Sequence, residues 1–195
     1  MTLLLFSHAH ADHFNATMAG TFLQRHPETW MVGNALVVDE MAAQSKDVFN
    51  TVRDRVARVE PEWGKPVVQR VGDVTIKVLP LNEDIPERPS KTCAFLFEIG
   101  GLKVLHVGDN NAASNVDAFR GFGLDREAID IAFVDPSLLG SAAGRTIVSQ
   151  YIKPRAIILM HMRSDDVERF VRELGPTTPN LLAFREPMEK QFFGR

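Results

Sequence analysis

Histidine and aspartate side chains crowd the start of the chain at a spacing suited to metal binding. The string Ser-His-Ala-His-Ala-Asp-His-Phe directly follows an apolar run at residues 3–6 and holds three of the six histidines. Side chains at i and i+2 of an extended strand share a face, so His8 and His10 should project together from the strand end. The next turn lets Asp12 and His13 face the same cavity. Imidazole and carboxylate oxygen suit Zn, Fe or Mn, so the string predicts the start of two adjacent metal sites.

Two later strands each deliver one polar group at their end. Leu-His-Val-Gly-Asp ends at Asp109, and Ile-Ile-Leu-Met-His ends at His161. Taken alone, a Gly-Asp pair is weak evidence for a metal ligand, and a histidine at a strand end can be a core residue. The opening string alone also has an alternative, a surface histidine tract. Together and in this order they predict one rigid site built from strand ends.

The bulk properties describe an ordinary globular chain. Its 195 residues suit one domain over residues 1–195, with 45% hydrophobic and 24% charged residues. A net charge of −3 gives no reason to expect a nucleic acid or an anionic membrane as partner. The single Cys93 fits a reducing compartment, and no apolar stretch has transmembrane or signal-peptide length. We therefore expect a cytoplasmic location.

Periodicity and turn residues predict a layered α/β sandwich. Hairpins come first and strand–helix alternation follows, which favours layers over a doubly wound sheet. The predicted strands are residues 3–6, 29–32, 67–71, 74–79, 92–99, 102–107, 129–134 and 155–160. The predicted helices are 16–25, capped by Asn15, then 35–58, broken near Ser45 or Asn50, then 142–151 and 165–174. Residues 80–90 are predicted to be a loop.

The string resembles the HxHxDH signature of the metallo-β-lactamase superfamily, and the later Gly-Asp and strand-end histidine follow in the family's order. The chain is most similar to the hydrolase branch that includes the ascorbate-phosphate lactonases. The resemblance implies an α/β fold, a metallo-β-lactamase-like αββα sandwich, with Zn in one or two sites, or Mn or Fe in its place. It assigns His8 and His10 to the first metal, Asp12, His13 and His161 to the second, and Asp109 to the bridge between them.

One ligand of the family pattern is missing. The family supplies a third histidine to the first metal, yet no histidine lies between His26 and His106. Glu83 or Asp84 is a candidate replacement, because carboxylates also bind these metals. The alternatives are that both acids are merely solvated and that the first site is incomplete. We therefore expect uneven occupancy of the two sites.

The family also has a strand-rich segment before the HxHxDH strand, and this sequence starts at that strand. The fold is then trimmed at its N-terminus, or the sequence is truncated, or a partner subunit fills the gap. A trimmed sheet leaves apolar surface or unpaired edges, which favours a homo-oligomer that covers them.

The resemblance implies a metal-dependent hydrolase whose metal-activated water attacks a small ester, lactone, amide or phosphoester. Asp12 or Asp109 would act catalytically by orienting the nucleophile and taking its proton. The alternative is a degenerate, non-catalytic binding or assembly subunit of the same fold. Redox or oxygen chemistry is disfavoured, because the diiron-flavoprotein pattern has Glu where His10 stands.

Several residues next to the motifs are further candidates for a role at the site. Ser7 is expected to hydrogen-bond near the site. Asp135 either supports a metal ligand or starts a turn, and Asn110 and Asn111 either contact substrate or form a turn. His106 is expected to pack or to support the site from behind.

Overall fold

Two β-sheets pack face to face, and helices cover the outer face of each. The computed structural model describes residues 2–83, 91–186, 188–190 and 192. The strands are β1 (Thr2–Phe6), β2 (Thr29–Asn34), β3 (Val56–Val59), β4 (Val67–Val71), β5 (Val74–Asn82), β6 (Lys91–Ile99), β7 (Leu102–His106), β8 (Ile131–Val134), β9 (Ala156–Leu159) and β10 (Leu181–Ala183). The α-helices are α1 (Ala16–Arg25), α2 (Ala35–Gln44), α3 (Lys46–Val52), α4 (Ala112–Phe122), α5 (Pro136–Gly140), α6 (Ala142–Thr146) and α7 (Val167–Leu174). A π-helical segment, Ile147–Ile152, continues α6.

The smaller sheet holds three parallel strands in the order β1-β2-β3. Helices α1, α2 and α3 pack on its outer face through buried side chains such as Leu23, Val37 and Met41. Asn15 and Asn34 accept hydrogen bonds from the first turns of α1 and α2, which satisfies otherwise unpaired backbone N–H groups. β1 is an edge strand that pairs with β2 on one side. The predicted homo-oligomer that would cover this edge stays a prediction.

The larger sheet holds seven strands in the order β10-β9-β8-β7-β6-β5-β4. Strands β4 to β7 form an antiparallel meander, and β7 to β10 run parallel. Alternation along β6 sends Phe95 toward the smaller sheet and Leu96 toward the helices. The same alternation buries Ile76 between the sheets and Leu105 under α4. This four-layer arrangement confirms the predicted α/β sandwich.

The predicted helix over residues 35–58 is wrong in its last part. The chain is helical to Val52 and breaks at Ser45 as expected, but Val56–Val59 forms strand β3 and pairs in parallel with β2. The valines at 52, 56 and 59 fit a helical period, yet β-branched residues also suit a strand. The open edge of β2 decides between them, because pairing satisfies its backbone groups.

The predicted loop over residues 80–90 begins later than expected. Residues 80–82 continue β5 and pair with residues 91–93 of β6. Residues 84–90, and with them the candidate ligand Asp84, lie outside the described residues. Helices α4 and α5 and the short strand β10 have no counterpart in the sequence prediction. In the described part of the chain, no helix has the length and apolar character needed to cross a membrane.

Candidate metal centre

The predicted ligands lie at strand ends that meet along one edge of the sandwich. His8 and His10 follow β1, Asp109 follows β7, and His161 follows β9. Strands β7 and β9 run parallel in one sheet, so their carboxyl ends open on the same side. The backbone N–H of Cys93 donates to the carbonyl of Ser7 (3.0 Å), which ties the end of β1 to the other sheet. The two sheets thus deliver their ligands to a common point.

Gly108 allows this close approach. Its φ is +61°, and an added Cβ would lie 2.8 Å from the carbonyl oxygen of Cys93 and 3.1 Å from Cβ of Ser7. Any other residue would combine strain with a clash against backbone. The glycine before Asp109 is therefore required for the carboxylate to reach the end of β1.

Three donors form what we call the outer half of the centre: Asp12, His13 and His161. One ligand atom of each lies within 4.8 Å of the other two. Oδ2 of Asp12 is 3.4 Å from Nε2 of His13 and 3.6 Å from Nε2 of His161. A turn, in which the N–H groups of His13 and Phe14 donate to the carbonyl of His10, brings these residues round. The side chains of Asp12 and His161 are 66% and 41% exposed, so this half is open to solvent.

Three other donors form the inner half: His8, His10 and Glu83. Nδ1 of His10 lies 3.3 Å from Oε1 of Glu83, and the ring of His8 packs edge-on against the ring of His10, with centroids 4.6 Å apart. Glu83, one of the two candidate replacements for the missing third histidine, therefore lies beside His8 and His10. His8 is almost completely buried, which makes this the enclosed side of the centre.

Asp109 lies between the two halves. Its Oδ2 is 3.1 Å from Nε2 of His13, 3.6 Å from Nε2 of His161 and 3.8 Å from Nε2 of His8. One carboxylate oxygen thus faces three imidazole nitrogens from both halves. This is the position expected of a bridging ligand.

Two of the imidazoles are oriented by hydrogen bonds on their far side. Nδ1 of His161 lies 2.8 Å from Oδ2 of Asp135, and Nδ1 of His8 lies 2.9 Å from Oγ of Ser7. When each Nδ1–H donates to its oxygen, the Nε2 lone pair faces Asp109. Asp135 also caps α5, since its Oδ1 accepts from the N–H of Ser137 (2.6 Å), so this residue both orients His161 and starts the helix.

The surroundings shift the ionisation of several members. Burial, helped by the neighbouring His13 and His10, lowers the pKa of His8 to about 4, so its ring is neutral at pH 7. Burial raises the pKa of Asp109, although His13 and His161 act in the opposite direction. Burial also lowers the pKa of His161, but the hydrogen bond to Asp135 and the charge of Asp109 outweigh it and raise the net value.

Asn115 fixes the strand end that carries Glu83, and sequence reasoning missed it. This fully buried amide accepts from the N–H of Asn82 (2.9 Å) and donates to the carbonyls of Asn82 (2.6 Å) and Asn111 (2.7 Å). It therefore joins the end of β5 to the first turn of α4. A lone asparagine inside a helix gives no signal of this role, because its partner lies 33 residues away.

Some atoms of the candidate ligands are buried without hydrogen-bond partners among the described residues. They include Nε2 of His8, Nε2 of His13 and Oδ1 of Asp109. Buried polar atoms are normally paired, so orphaned ligand atoms grouped at one point need an explanation. A divalent cation satisfies imidazole nitrogens and carboxylate oxygens together, and the residues present fit such an ion.

Of the remaining candidates, Asn111 and His106 make structural contacts, and Asn110 makes no side-chain hydrogen bond in the described part of the chain. Asn111 caps α4, which confirms the turn interpretation for it. Nδ1 of His106 accepts from the N–H of Gly108 (3.1 Å) and its ring stacks on Phe133, so it supports the Gly-Asp turn from behind. Both amide atoms of Asn110 are buried and have no hydrogen-bond partner in the described part of the chain.

Fold and site together define a four-layer αββα protein with metal-ligand residues gathered at one edge of its two sheets. The family model for the beta-lactamase superfamily domain matches residues 1–179, and the chain belongs to this superfamily. A mutant of the CmlA beta-hydroxylase has a similar structure, with a TM-score of 0.57 and 16% identity over 94% of this chain and 43% of that one. Unliganded yeast PDE1 gives a TM-score of 0.58 and 11% identity over 94% of this chain and 66% of that one.

These likenesses confirm the predicted metallo-β-lactamase-like fold and show the fold alone. The chain spans less than two thirds of the length of either structure. No curated protein matches the sequence.

Proposed function

We propose that this chain is a metal-dependent hydrolase that acts on a small ester, lactone, amide or phosphoester through a metal-activated water. The observation that supports it most is the grouping of orphaned donor atoms around Asp109 at the ends of strands from both sheets. Sites on strand ends are rigid enough to hold donors for an ion. The open outer half gives a substrate access to that point.

The proposed ligand assignment follows the two halves. Asp12, His13 and His161 would hold one ion, His8, His10 and Glu83 would hold the other, and Asp109 would contribute to both. Three of these seven donors are carboxylates, a set that suits Zn and also Mn or Fe. An ion held by these residues would lower the pKa of a bound water and would polarise the carbonyl or phosphoryl oxygen of the group under attack.

The protein's own residues would orient the attacking water and accept its proton. The carboxylate of Asp12 is exposed at the open side, near Nε2 of both His13 and His161, where it can accept the proton of an attacking water. Asp109 is enclosed and fixed among three imidazoles, which suits it to holding the nucleophile in line. Asp135 keeps His161 in one orientation during this step.

Oxygen chemistry is the second candidate, and the donor set is the observation that favours it. Glu83 in place of a histidine gives each half two carboxylate neighbours when Asp109 is counted, which also suits iron. One structure of the same fold is that of a beta-hydroxylase. Oxygen chemistry would be supported if the protein bound iron in preference to zinc, consumed oxygen and hydrolysed no substrate.

The test is hydrolysis by protein stripped of metal and reloaded with Zn, Mn or Fe. Suitable substrates are 4-nitrophenyl acetate, a thiolactone and bis(4-nitrophenyl) phosphate, with a chelated sample as the blank. We expect turnover of at least one class that needs metal and falls at least about 100-fold in Asp12→Asn, as loss of a general base predicts. Bound metal without turnover of any class would instead favour a non-catalytic binding or assembly subunit.

A further inference from the structure

A cavity of about 560 Å³ lies on the same edge of the sandwich as the metal centre. It is lined at the ends of β2, β3 and β5 and at the start of β6 by Asn34, Val59, Asn82 and Lys91. Strands β1, β2 and β3 run parallel, so the ends of β2 and β3 lie on the side where β1 delivers His8. The volume falls in the range of small-molecule sites.

One buried amide links the wall of this cavity to the inner half. Nδ2 of Asn34 donates to the carbonyl of Ser7 (3.1 Å) and to the carbonyl of Lys91 (2.8 Å). Its Oδ1 accepts from the N–H of Val37, which holds the side chain in place. On the other wall, Asn82 directly precedes Glu83. Two lining residues thus connect the cavity to the inner half: Asn34 through its hydrogen bond to Ser7, which precedes His8, and Asn82 through the peptide bond to Glu83.

The far wall of the cavity carries apolar side chains that are exposed to solvent. Trp63 is 49% exposed and Leu36 is 51% exposed, and Pro61 lies beside them in the lining. Isolated exposed apolar residues are common, but two large ones on one cavity form a surface for a ring or an alkyl group.

Charge is distributed unevenly around the same cavity. Arg58 pairs with Asp39 (3.2 Å) and Glu60 (2.8 Å), and because these two carboxylates also line the cavity, that wall has no positive charge to offer an anion. Lys91 has no ion pair among the described residues, and it lies opposite Asn82 in the pairing of β5 with β6. Its ammonium is therefore the cation available to an anion on the side of the cavity next to Glu83.

We propose that this cavity holds the non-reacting part of the substrate, and that the substrate is an anionic ester or phosphoester with a planar apolar group. The planar group packs on Trp63 and Leu36, and Lys91 pairs with the negative charge beside the inner half. The proposal rests on the proposed function, since it takes the metal centre as the place of the bond to be cleaved.

The experiment compares two ligands that differ only in the planar group. Zinc-loaded protein is titrated calorimetrically with phenylphosphonate and with methylphosphonate. Because burial of a phenyl ring on an apolar wall is favourable, we expect phenylphosphonate to bind about tenfold tighter. Trp63→Ala should remove most of this preference, and Leu36→Ala should remove part of it. Val68→Ala changes an exposed apolar residue outside the cavity lining and should leave the preference unchanged.

The role of the Lys91 charge is tested with a second pair of variants. Lys91→Met should weaken both phosphonates by a similar factor, while Lys65→Met, on the surface loop beside Trp63, should weaken neither. Equal binding of the two phosphonates by the unaltered protein, or a preference that survives both Trp63→Ala and Leu36→Ala, would overturn the proposal. A phenyl preference without hydrolysis of any substrate leaves the cavity assignment standing and rejects the hydrolase. Hydrolysis without a phenyl preference supports the hydrolase and overturns the cavity assignment.

Discussion

The two halves of the metal centre are built in opposite ways. The outer half is open to solvent, but its two imidazoles lie close to Asp109, with Nε2–Oδ2 distances of 3.1 and 3.6 Å. The inner half is enclosed, but its nearest approach to Asp109 is the 3.8 Å separation from His8. Its carboxylate, Glu83, sits at the end of β5 and depends on Asn115 for its position.

This difference indicates which half binds an ion more tightly. With Asp109 counted, each half has four donors, so donor distance and orientation decide the affinity. The outer half, whose imidazoles lie closer to Asp109 and whose His161 is held by Asp135, should be occupied first. The inner half should fill at a higher metal concentration. The uneven occupancy expected from the missing histidine thus stays a prediction, now with Glu83 completing the weaker half.

Asp109→Asn should have the largest effect, because it alters both halves at once. The amide keeps the shape but loses the charge that faces three imidazoles. We expect metal affinity at both halves to fall by more than about 100-fold, beyond the usual cost of changing a residue that only supports a ligand. Titration with zinc against a competing chelator measures it. Asp73→Asn, at the exposed β4–β5 turn, is the control, and two unchanged equivalents in Asp109→Asn would refute the bridge.

Glu83→Gln should change the metal affinity of the inner half without changing that of the outer half. It removes a charged donor from the inner half alone, so the weaker equivalent should be lost while the tighter one keeps its affinity. The same zinc titration reports both. Glu62→Gln, an exposed acid paired with Lys65, serves as the matched control. If the tighter equivalent disappears instead, the assignment of strong and weak halves is reversed.

Asp135→Asn should weaken the outer half without unfolding the protein. Asparagine can still cap α5, but it no longer offers a charged acceptor to Nδ1 of His161. Loss of such support costs about 10–100-fold in metal affinity, and we expect this loss in the tighter equivalent only. Ser141→Ala removes a helix cap that lies away from the ligands and should leave zinc binding intact. An unchanged tighter equivalent in Asp135→Asn would mean that His161 needs no support.

Asn115→Ala should have the smallest effect on metal and a visible effect on stability. It leaves the N–H and carbonyl of Asn82 and the carbonyl of Asn111 without this partner, which should cost about 1–3 kcal/mol in the free energy of unfolding. Urea unfolding of the metal-free protein measures this cost. Zinc titration should show a weaker inner half, with Ser114→Ala on the same helix as control. Lost stability with unchanged inner affinity would limit Asn115 to a structural role.

The sequence was sufficient to predict which candidate ligands lie close together, because its signals are local. The HxHxDH string, the Gly-Asp turn and the histidine after β9 each mark the end of an apolar strand, and strand ends in such a sandwich converge. Glu83 was only one of two candidates, since nothing local distinguishes a ligand from a solvated acid.

Signals that depend on distant partners were missed. The strand Val56–Val59 shares its valine spacing with a helix, and only pairing with β2 makes it a strand. β10 has three residues, too few for any periodicity, and is defined by its pairing with β9. The bonds of Asn115 to Asn82 likewise exist only once β5 and α4 are brought together.

The two halves can be distinguished in a crystal structure of zinc-soaked protein, with anomalous data collected at the zinc edge. We expect a strong peak among His13, Asp109 and His161, and a weaker one among His8, His10 and Glu83 that grows with zinc concentration. Anomalous maps with no peak within bonding distance of Asp109, at any zinc concentration, would contradict this expectation.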